Sequence, residues 1–318
     1  MFRSITAAAL CLALTGAAQA QTYPERPVTV IVPFAAGGNA DVLGRIFAEK
    51  LSARLGKQFV VENRAGAGGN IGGAAVAQAQ PDGYTIGVAT VTITINPHIY
   101  KEKNPYDTVR DFRPLLLMGT QPNIITVHPS VPAKNLAELI AWLKANPGQG
   151  YATSGVGTSI HLCMELLSQM TGVQLTHVPY RSSAQVMQDV ISGQVKLTCD
   201  NASTSLPQIK AGNIRAIGVT SKERSADAPE IPAVAETLPG FEAVSWHSWV
   251  ASAKIPKPIL DVLEKELVAV AAMPDVQKRL RELGVAPSSL AGDAFAEFVK
   301  AELAKWGPVV EKAGIKAP

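Results

Sequence analysis

The chain has 318 residues, of which 47% are hydrophobic and 17% are charged. It is long enough to bury a large core, its length favours two domains over one, and its composition excludes a disordered or fibrous protein. With 29 basic and 26 acidic side chains and only 6% aromatic residues, it also lacks the strongly basic character that indicates a nucleic-acid partner.

The first twenty residues have the pattern of a secretory signal peptide. Arg3 supplies a positive charge, residues 5–14 form an apolar run, and Ala18-Gln19-Ala20 is a small-residue cleavage site. The run is shorter than the about 20 residues that a membrane-spanning helix needs. We therefore predict that residues 1–20 are cleaved after Ala20 and that the mature chain is exported to the periplasm. An apolar amino-terminal helix of a cytosolic protein is the alternative.

Residues 28–41 predict a buried strand, a glycine turn and the start of a helix that continues over 42–55 and ends at Gly56. A helix start of this kind binds anions, because its first N–H groups have no internal partner and the peptide dipoles place positive charge there. Gly37 and Gly38 have no Cβ, so a ligand can come close to the backbone.

The rest of the first hundred residues alternates between strands and helices. Strands are predicted at 59–62 and 84–89, with a glycine-rich turn and a small-residue helix between them. Such alternation is typical of a parallel sheet with helices on both faces. Residues 96–114 predict loops and one short helix, followed by two strands at 115–118 and 123–127.

The chain is predicted to cross to a second domain near Gln121-Pro122. Further helices and strands then alternate at 136–143, 150–153, 160–167, 174–178, 187–191 and 194–199. A strand at 214–220 could run back toward the first domain. It is followed by a loop at 221–240, a strand at 244–251, and helices at 259–271, 275–283 and 293–310.

This order predicts an α/β protein of two lobes, each a sheet flanked by helices, with a ligand cleft between the lobes. Lobe 1 is predicted to comprise residues 21–122 and 222–318, and lobe 2 residues 123–221. Residues 151–161 repeat the design of the first helix start, with a short strand, small polar residues and then a helix. Our hypothesis is that the two helix starts face each other across the cleft and hold a carboxylate.

Several separated motifs in a fixed order carry a family resemblance. They are Tyr23-Pro24, the run 32–38 with Asp41, Val61-Glu62-Asn63-Arg64, Gly66-Ala67-Gly68, residues 81–85, His177-Val178-Pro179-Tyr180, Gly193-Gln194-Val195, residues 209–212, Arg215-Ala216-Ile217 and Ser245-Trp246. With them the sequence resembles the substrate-binding proteins of tripartite tricarboxylate transporters, the TctC or Bug family, over essentially all of the mature chain.

The resemblance implies a periplasmic binding protein of the two-lobed, type II-like fold that closes on a small carboxylate and delivers it to a membrane permease. It also implies ligand contacts from backbone amides and waters of the loops at 34–41 and 154–159. The sequence departs from the family after Pro179-Tyr180-Arg181, where Ser182 is followed by Ser183 and Ala184 rather than glycine. A side chain there narrows the pocket or adds a hydroxyl donor, so the ligand of a relative does not transfer.

The candidate ligand-binding residues come from both helix starts and from nearby strand ends. They are Phe34, Ala35, Ala36, Gly37, Gly38, Asp41, Thr90, Ser154, Gly155, Gly157, Thr158, Ser159, Arg181, Ser182, Ser183 and Asp200.

Several candidates have a structural alternative. Asp41 could instead order its loop or complement the helix dipole, and Ser154, Thr158 and Ser159 could serve as helix caps. Arg181 could pair with a distal carboxylate or remain solvated. Asp200 could hydrogen-bond only to a neighbouring turn.

Other site chemistries have weaker support in the sequence. Cys163 and Cys199 could form one disulfide, but the pattern favours buried free thiols. His161, His177 and His247 have no metal-ligand spacing, so we predict packed or surface histidines, with no metal and no cofactor.

Enzyme motifs are incomplete. The glycine pairs at Gly66-Ala67-Gly68 and Gly155-Val156-Gly157 lack the third glycine of a dinucleotide fingerprint, and the phosphate-loop and nucleophile-elbow patterns are absent. We therefore predict a monomeric receptor, not an enzyme, for a dicarboxylate or aromatic acid, with a TctA/TctB-like permease or a sensor protein as partner. The alternatives are a secreted α/β enzyme that uses Ser154 or His161, and a ligand-sensing partner of a membrane signalling protein.

Overall fold

The computed structural model describes residues 23–180, 182–226 and 228–317, so the predicted signal peptide lies outside the described residues. In this part of the chain the strands are β1 (Val28–Val32), β2 (Phe59–Asn63), β3 (Thr85–Thr90), β4 (Phe112–Val127), β5 (Gln149–Thr153), β6 (Leu175–Pro179), β7 (Leu197–Asn201), β8 (Arg215–Val219), β9 (Val244–Ser252) and β10 (Ala286–Pro287). The helices are α1 (Asn39–Leu55), α2 (Asn70–Ala77), α3 (Thr92–Tyr100), α4 (Leu136–Ala145), α5 (Ser159–Thr171), α6 (Ser183–Ile191), α7 (Ala202–Lys210), α8 (Lys257–Ala271), α9 (Pro274–Glu282) and α10 (Gly292–Ala313).

The strands join into one sheet in the order β2-β1-β3-β9-β4-β7-β5-β6, with β8 and β10 also paired to β4. β1 is parallel to β2 and β3, and β5 is parallel to β6 and β7, as the alternating pattern predicted. β9 is antiparallel to both of its neighbours, β3 and β4. The sheet is therefore mixed, because the late strand β9 inserts between two strands from the first half of the chain.

The prediction of two strands at 115–118 and 123–127 was wrong, because a single 16-residue strand, β4, covers both. Pro122 lies where β4 changes partners: residues up to Pro122 pair with β9, and residues from Asn123 onward pair with β7 and β8. A proline is tolerated there because the hydrogen-bonding ladder of one neighbour ends and that of the next begins.

Two sheet regions can be defined from these pairings. The first sheet region contains β1, β2, β3, β9, β10 and residues 112–122, and the second contains β5 to β8 and residues 123–127. β8, which could have run back toward the first domain, pairs instead with the second region.

Helices cover both faces of the first sheet region. The apolar side chains of α1, α8 and α9 form one core with β1, β3 and Trp249, and Phe47 lies with its ring centroid 6.3 Å from that of Trp249. The opposite face carries α2, α3 and α10, and this second core continues into the second sheet region under α4 and α5. The predicted amphipathic helix 42–55 is confirmed, and Gly56 ends it with a left-handed φ of 68°.

A buried carboxylate lies inside the core beside α10. Glu302 is 7% exposed, and its Oε2 accepts hydrogen bonds from the indole Nε1 of Trp246 at 3.0 Å and of Trp306 at 3.1 Å. Both indole rings are fully buried. Glu302 therefore supplies the acceptor for two indole N–H groups that have no access to water.

The two cysteines of the described chain form a disulfide, so the expectation of free thiols was wrong. Cys163 of α5 and Cys199 of β7 are both buried, with their Cα atoms 6.5 Å apart. α5 packs directly against β7, and this contact brings together two positions that are 36 residues apart in sequence. Helical periodicity and a strand end give no information about such a contact.

The region predicted as loops with one short helix at 96–114 also differs. α3 begins earlier, at Thr92, and continues through Pro97 to Tyr100. Within residues 23–180, 182–226 and 228–317, no helix combines the length and apolar character required to cross a bilayer.

Candidate functional site

The first helix start lies at the carboxyl end of β1. α1 has Gly38 as its N-cap, and no side chain caps its first N–H groups. Gly37 has a left-handed φ of 82°, and an added Cβ would meet nothing within 4 Å. The loop therefore leaves its backbone open toward the space in front of the sheet, as the anion-binding hypothesis requires.

Asp41 orders this loop from behind. Its carboxylate accepts hydrogen bonds from the Gly37 N–H at 2.9 Å, from Asn63 Nδ2 at 2.9 Å and from Arg45 Nε at 3.0 Å. Burial acts to raise the pKa of Asp41, but these hydrogen bonds outweigh it and hold the pKa below its usual value. Its side chain is buried and does not line the cavity described below.

The second helix start is capped differently. Thr158 is the N-cap of α5, and its Oγ1 accepts the His161 N–H at 3.3 Å and donates to the Gly155 carbonyl at 2.9 Å. Gly157 has a φ of 78°, and an added Cβ would lie 2.9 Å from Ile99 Cδ1. Gly157 therefore serves close packing against α3, and neither it nor Gly155 lines the cavity.

Both helix starts line a single cavity of about 490 Å³. The lining residues come from both sheet regions: Phe34, Ala35, Ala36, Gly37, Gly38, Asn39, Ala40, Thr90, Val91, Thr92, Ser154, Thr158, Ser159, Ile160, Ser182, Ser183, Ala184, Asn201, Thr204, Ser245 and His247. We call it the central cavity. Its volume suits a small organic molecule.

Eleven of the predicted ligand-binding residues line the central cavity: Phe34, Ala35, Ala36, Gly37, Gly38, Thr90, Ser154, Thr158, Ser159, Ser182 and Ser183. Asp41, Gly155, Gly157 and Asp200 lie outside its lining, and Arg181 lies outside the described residues. Ser182 caps α6 by accepting the Gln185 N–H, so this departure from the family pattern also serves a local structural purpose.

The resemblance implied contacts from the loop at 34–41, which includes Asn39 and Ala40, but the list of candidates omitted ten lining residues: Asn39, Ala40, Val91, Thr92, Ile160, Ala184, Asn201, Thr204, Ser245 and His247. Most of them directly continue a predicted loop, so extending each loop by one or two residues would have found them. Ser245 and His247 carry no local signal, because they reach the cavity only through the insertion of β9 beside β3.

Asn39 connects the two sheet regions at the edge of the cavity. Its Nδ2 lies 2.8 Å from Gln121 Oε1, 3.0 Å from Ser203 Oγ and 3.4 Å from Asn201 Oδ1. The first residue of α1 thus hydrogen-bonds to β4 and to the start of α7. These contacts hold the two regions together across the cavity.

The electrostatic character of the lining is unusual for an anion site. None of the described lining residues is Asp, Glu, Lys or Arg. An anion there would be met by backbone N–H groups, hydroxyl groups and helix dipoles rather than by a fixed cation. His247 is the one titratable side chain among the described lining residues.

His247 is 3% exposed, and its ring makes no hydrogen bond to the described residues, so the buried Nδ1 has no partner. Leaving such a buried atom unpaired costs roughly 1–3 kcal/mol. Burial lowers the pKa of His247 to about 4, so the ring is neutral near pH 7.

Asp200 lies behind the cavity wall rather than in it. Its Oδ1 accepts hydrogen bonds from Ser183 Oγ at 3.1 Å and the Asn201 N–H at 2.7 Å, while Oδ2 is buried without a partner among the described residues. Burial raises the pKa of Asp200 to about 7, against the opposing effect of these two hydrogen bonds. Asp200 therefore positions Ser183 and Asn201, which do line the cavity.

We expect Asp200→Asn to be more stable than the wild type at pH 8 by about 1 kcal/mol or more. The folded protein holds the Asp200 proton up to about pH 7, so this group's contribution to stability is full at low pH and is lost as the pH rises from about 4 through 7. Urea denaturation at pH 4 and pH 8 measures the difference. A difference between the two proteins that does not change with pH would contradict this assignment.

The remaining predicted histidines pack on one another beneath the second helix start. The rings of His161 and His177 stack with centroids 3.9 Å apart, and Tyr151 stacks on His177 at 5.2 Å. His161 Nδ1 accepts the Gly157 N–H at 3.2 Å, so it is not available as a base for Ser154. No group of three or more potential metal ligands occurs within the described ranges.

The sequence-family model named TctC, which describes the tripartite tricarboxylate transporter family receptors, matches residues 43–315 of this chain. The chain belongs to the TctC receptor family. Several solved structures are similar to this receptor, including Rpa4515, BugD and MatC. Rpa4515 of R. palustris, solved with adipate, is 36% identical with a TM-score of 0.86, over 92% of this chain and 99% of that one.

BugD, a periplasmic binding protein, is 37% identical to the receptor with a TM-score of 0.84, over 92% and 99% of the two chains. MatC (Rpa3494) of Rhodopseudomonas palustris, with bound malate, is 29% identical with a TM-score of 0.82, over 91% and 100%. These likenesses confirm the predicted Bug/TctC membership and the two-lobed α/β fold. The family is one of solute-binding receptors that serve a membrane transporter, and its members are periplasmic binding proteins.

Proposed function

We propose that this receptor captures a small organic acid in the central cavity and delivers it, chemically unchanged, to a membrane permease of the TctA/TctB type. The observation that carries the proposal is the meeting of two helix starts, α1 and α5, at one cavity whose described lining holds no acidic side chain. Adipate and malate, the molecules in the two ligand-bound relatives, are both small dicarboxylates and are the first candidates.

Binding is proposed to act by closing two lobes, residues 21–122 with 222–318 and residues 123–221. The partner exchange of β4 at Pro122 supports this boundary. The hydrogen bonds from Asn39 support a closed form in which both helix starts contribute donors at once. A ligand that contacts both lobes binds the closed form more tightly than the open form. The difference between the two binding free energies is the amount by which it stabilises the closed form.

The proposal includes export to the periplasm after cleavage at Ala20, a monomeric receptor and the absence of catalysis. The occupied Nδ1 of His161 and the neutral, hydroxyl-rich lining support binding rather than turnover. A sensor protein as the downstream partner would use the same binding step.

Mature protein, residues 21–318, is expected to be stabilised in a thermal-shift screen by at least one small carboxylate. A ligand at 100 times its Kd adds about 2.7 kcal/mol, which corresponds to a shift of roughly 4 °C for a protein of this size. The screen should contain adipate, malate and aromatic acids, with adipamide as the uncharged control. Stabilisation by none of the acids, or equal stabilisation by adipamide, would overturn the proposal.

Ser159→Asp provides a matched test of the site, because Ser159 is the first residue of α5 and lines the cavity. A carboxylate in the first helical turn favours the fold through the dipole, but it repels an anionic ligand. We expect affinity to fall at least about 100-fold. Ser159 is 4% exposed, so urea denaturation of the free variant measures the separate cost of burying the carboxylate. Ser159→Ala removes only a hydroxyl group and serves as the control, with a loss of about tenfold or less.

A further inference from the structure

One wall of the central cavity is built from β3 and β9. His247 lies directly opposite Thr90 in the antiparallel pairing of these strands. Ser245 is two residues before His247 and therefore lies on the same face of β9, and all three residues line the cavity. The wall belongs to the first sheet region and is separate from the two helix starts.

His247 has no charged neighbour from the strands packed on either side. β3 places Thr90 opposite it, and β4 places Gly119 opposite it. Glu302 of α10 contacts the indole of Trp246, which lies on the other face of β9. Burial is the cause of its lowered pKa, without a contribution from any charged group.

The cavity lining therefore offers one place where a charge can be created. An acid group held at the two helix starts is met by N–H groups and dipoles, but a second acid group has no fixed cation among the described lining residues. A neutral imidazole that lines the cavity becomes a counter-charge by taking a proton from solvent.

We propose that His247 is the specificity-determining residue that receives a second carboxylate of the ligand, and that it takes up a proton when this carboxylate binds. This inference rests on the proposed function, because it assumes that the first carboxylate is held at the helix starts. The proton moves from the buffer to a ring nitrogen of His247, and no covalent bond to the ligand forms. A monocarboxylate of equal length leaves the ring neutral.

The sign of the pH dependence follows from linkage. In the free protein the pKa of His247 is lowered to about 4, and a carboxylate against the ring raises it. Between these two pKa values the complex holds one proton more than the free protein. Affinity for a dicarboxylate therefore rises as the pH falls, by up to about tenfold per pH unit.

Isothermal titration calorimetry of the mature protein with adipate and with hexanoate tests the inference. Titrations in buffers of different ionisation enthalpy at pH 6, 7 and 8 give the number of protons taken up. We expect uptake that approaches about one proton with adipate at pH 6 and none with hexanoate. His247→Asn should abolish the uptake and reduce the preference for adipate over hexanoate at least about tenfold.

Ser245→Ala is the matched control, because Ser245 lies on the same wall but does not titrate. Proton uptake should persist in this variant.

Arg181→Gln tests the competing source of positive charge. Adipate binding without proton uptake, a preference unchanged in His247→Asn, or a preference abolished by Arg181→Gln alone would overturn the role of His247. Binding of hexanoate but not adipate would overturn it too while leaving the proposed function intact, whereas binding of no carboxylate would remove both.

Discussion

Replacing Glu302 by leucine is expected to lower the free energy of unfolding by about 3–5 kcal/mol. The substitution removes the acceptor for the indole N–H groups of Trp246 and Trp306 and leaves both donors buried without a partner. Each unpaired donor costs roughly 1–3 kcal/mol, and the apolar replacement cannot recover this cost because the donors remain. Equilibrium denaturation in urea, followed by tryptophan fluorescence, measures the change directly.

Glu302→Gln is the control that separates hydrogen bonding from volume. Its amide oxygen can accept from both indole groups, so we expect a loss of about 1 kcal/mol, part of it from the lost contact with Lys305 Nζ, which lies 3.3 Å from the carboxylate. The assignment would be contradicted if the free energies of unfolding of the leucine and glutamine variants differed by less than about 1 kcal/mol, which is about the uncertainty of such measurements.

Loss of the disulfide between Cys163 and Cys199 is expected to reduce stability by about 3–4 kcal/mol. The bond closes a loop across a sequence separation of 36, and releasing it restores conformational freedom to the unfolded chain. The comparison is between oxidised and reduced wild-type protein in urea. A Cys163→Ala and Cys199→Ala double variant shows the added cost of the lost side-chain volume, and reductant should not affect it.

A thiol assay on the denatured, unreduced mature protein provides the decisive check of this second result. No reactive thiol should be found, because Cys163 and Cys199 are paired. The cysteines would be free, as first expected, if the assay found two reactive thiols and reductant left the denaturation midpoint unchanged.

The elements near residues 28–56 could be predicted from the sequence, because the residues that determine them are adjacent in the chain. An apolar run predicts the strand at 28–32, and two glycines predict the turn after it. Apolar residues at every fourth position predict the helix that ends at Gly56. The structure confirms all three elements. The same holds for the capped start of α5 at Thr158. Eight of the eleven candidate residues that line the central cavity belong to the loops before α1 and α5.

The errors and omissions arose where distant segments meet. Pro122 looks like a break in sequence, yet neighbours from residues 197–252 hold β4 together on either side of it. His247 lies opposite Thr90 because β9 pairs with β3, although more than 150 residues separate the two strands in the sequence. Hydrophobic periodicity describes only nearby residues, so it could not predict this pairing. The disulfide and the indole acceptor Glu302 depend in the same way on helices docking onto strands.

The continuity of β4 has a mechanical consequence. A strand of 16 residues, at about 3.3 Å per residue, extends for roughly 50 Å and passes from one sheet region into the other without interruption. The lobe opening proposed above would therefore twist this ribbon about its long axis near Pro122. In that proposal, the resistance of the paired strand to torsion limits the angle of opening.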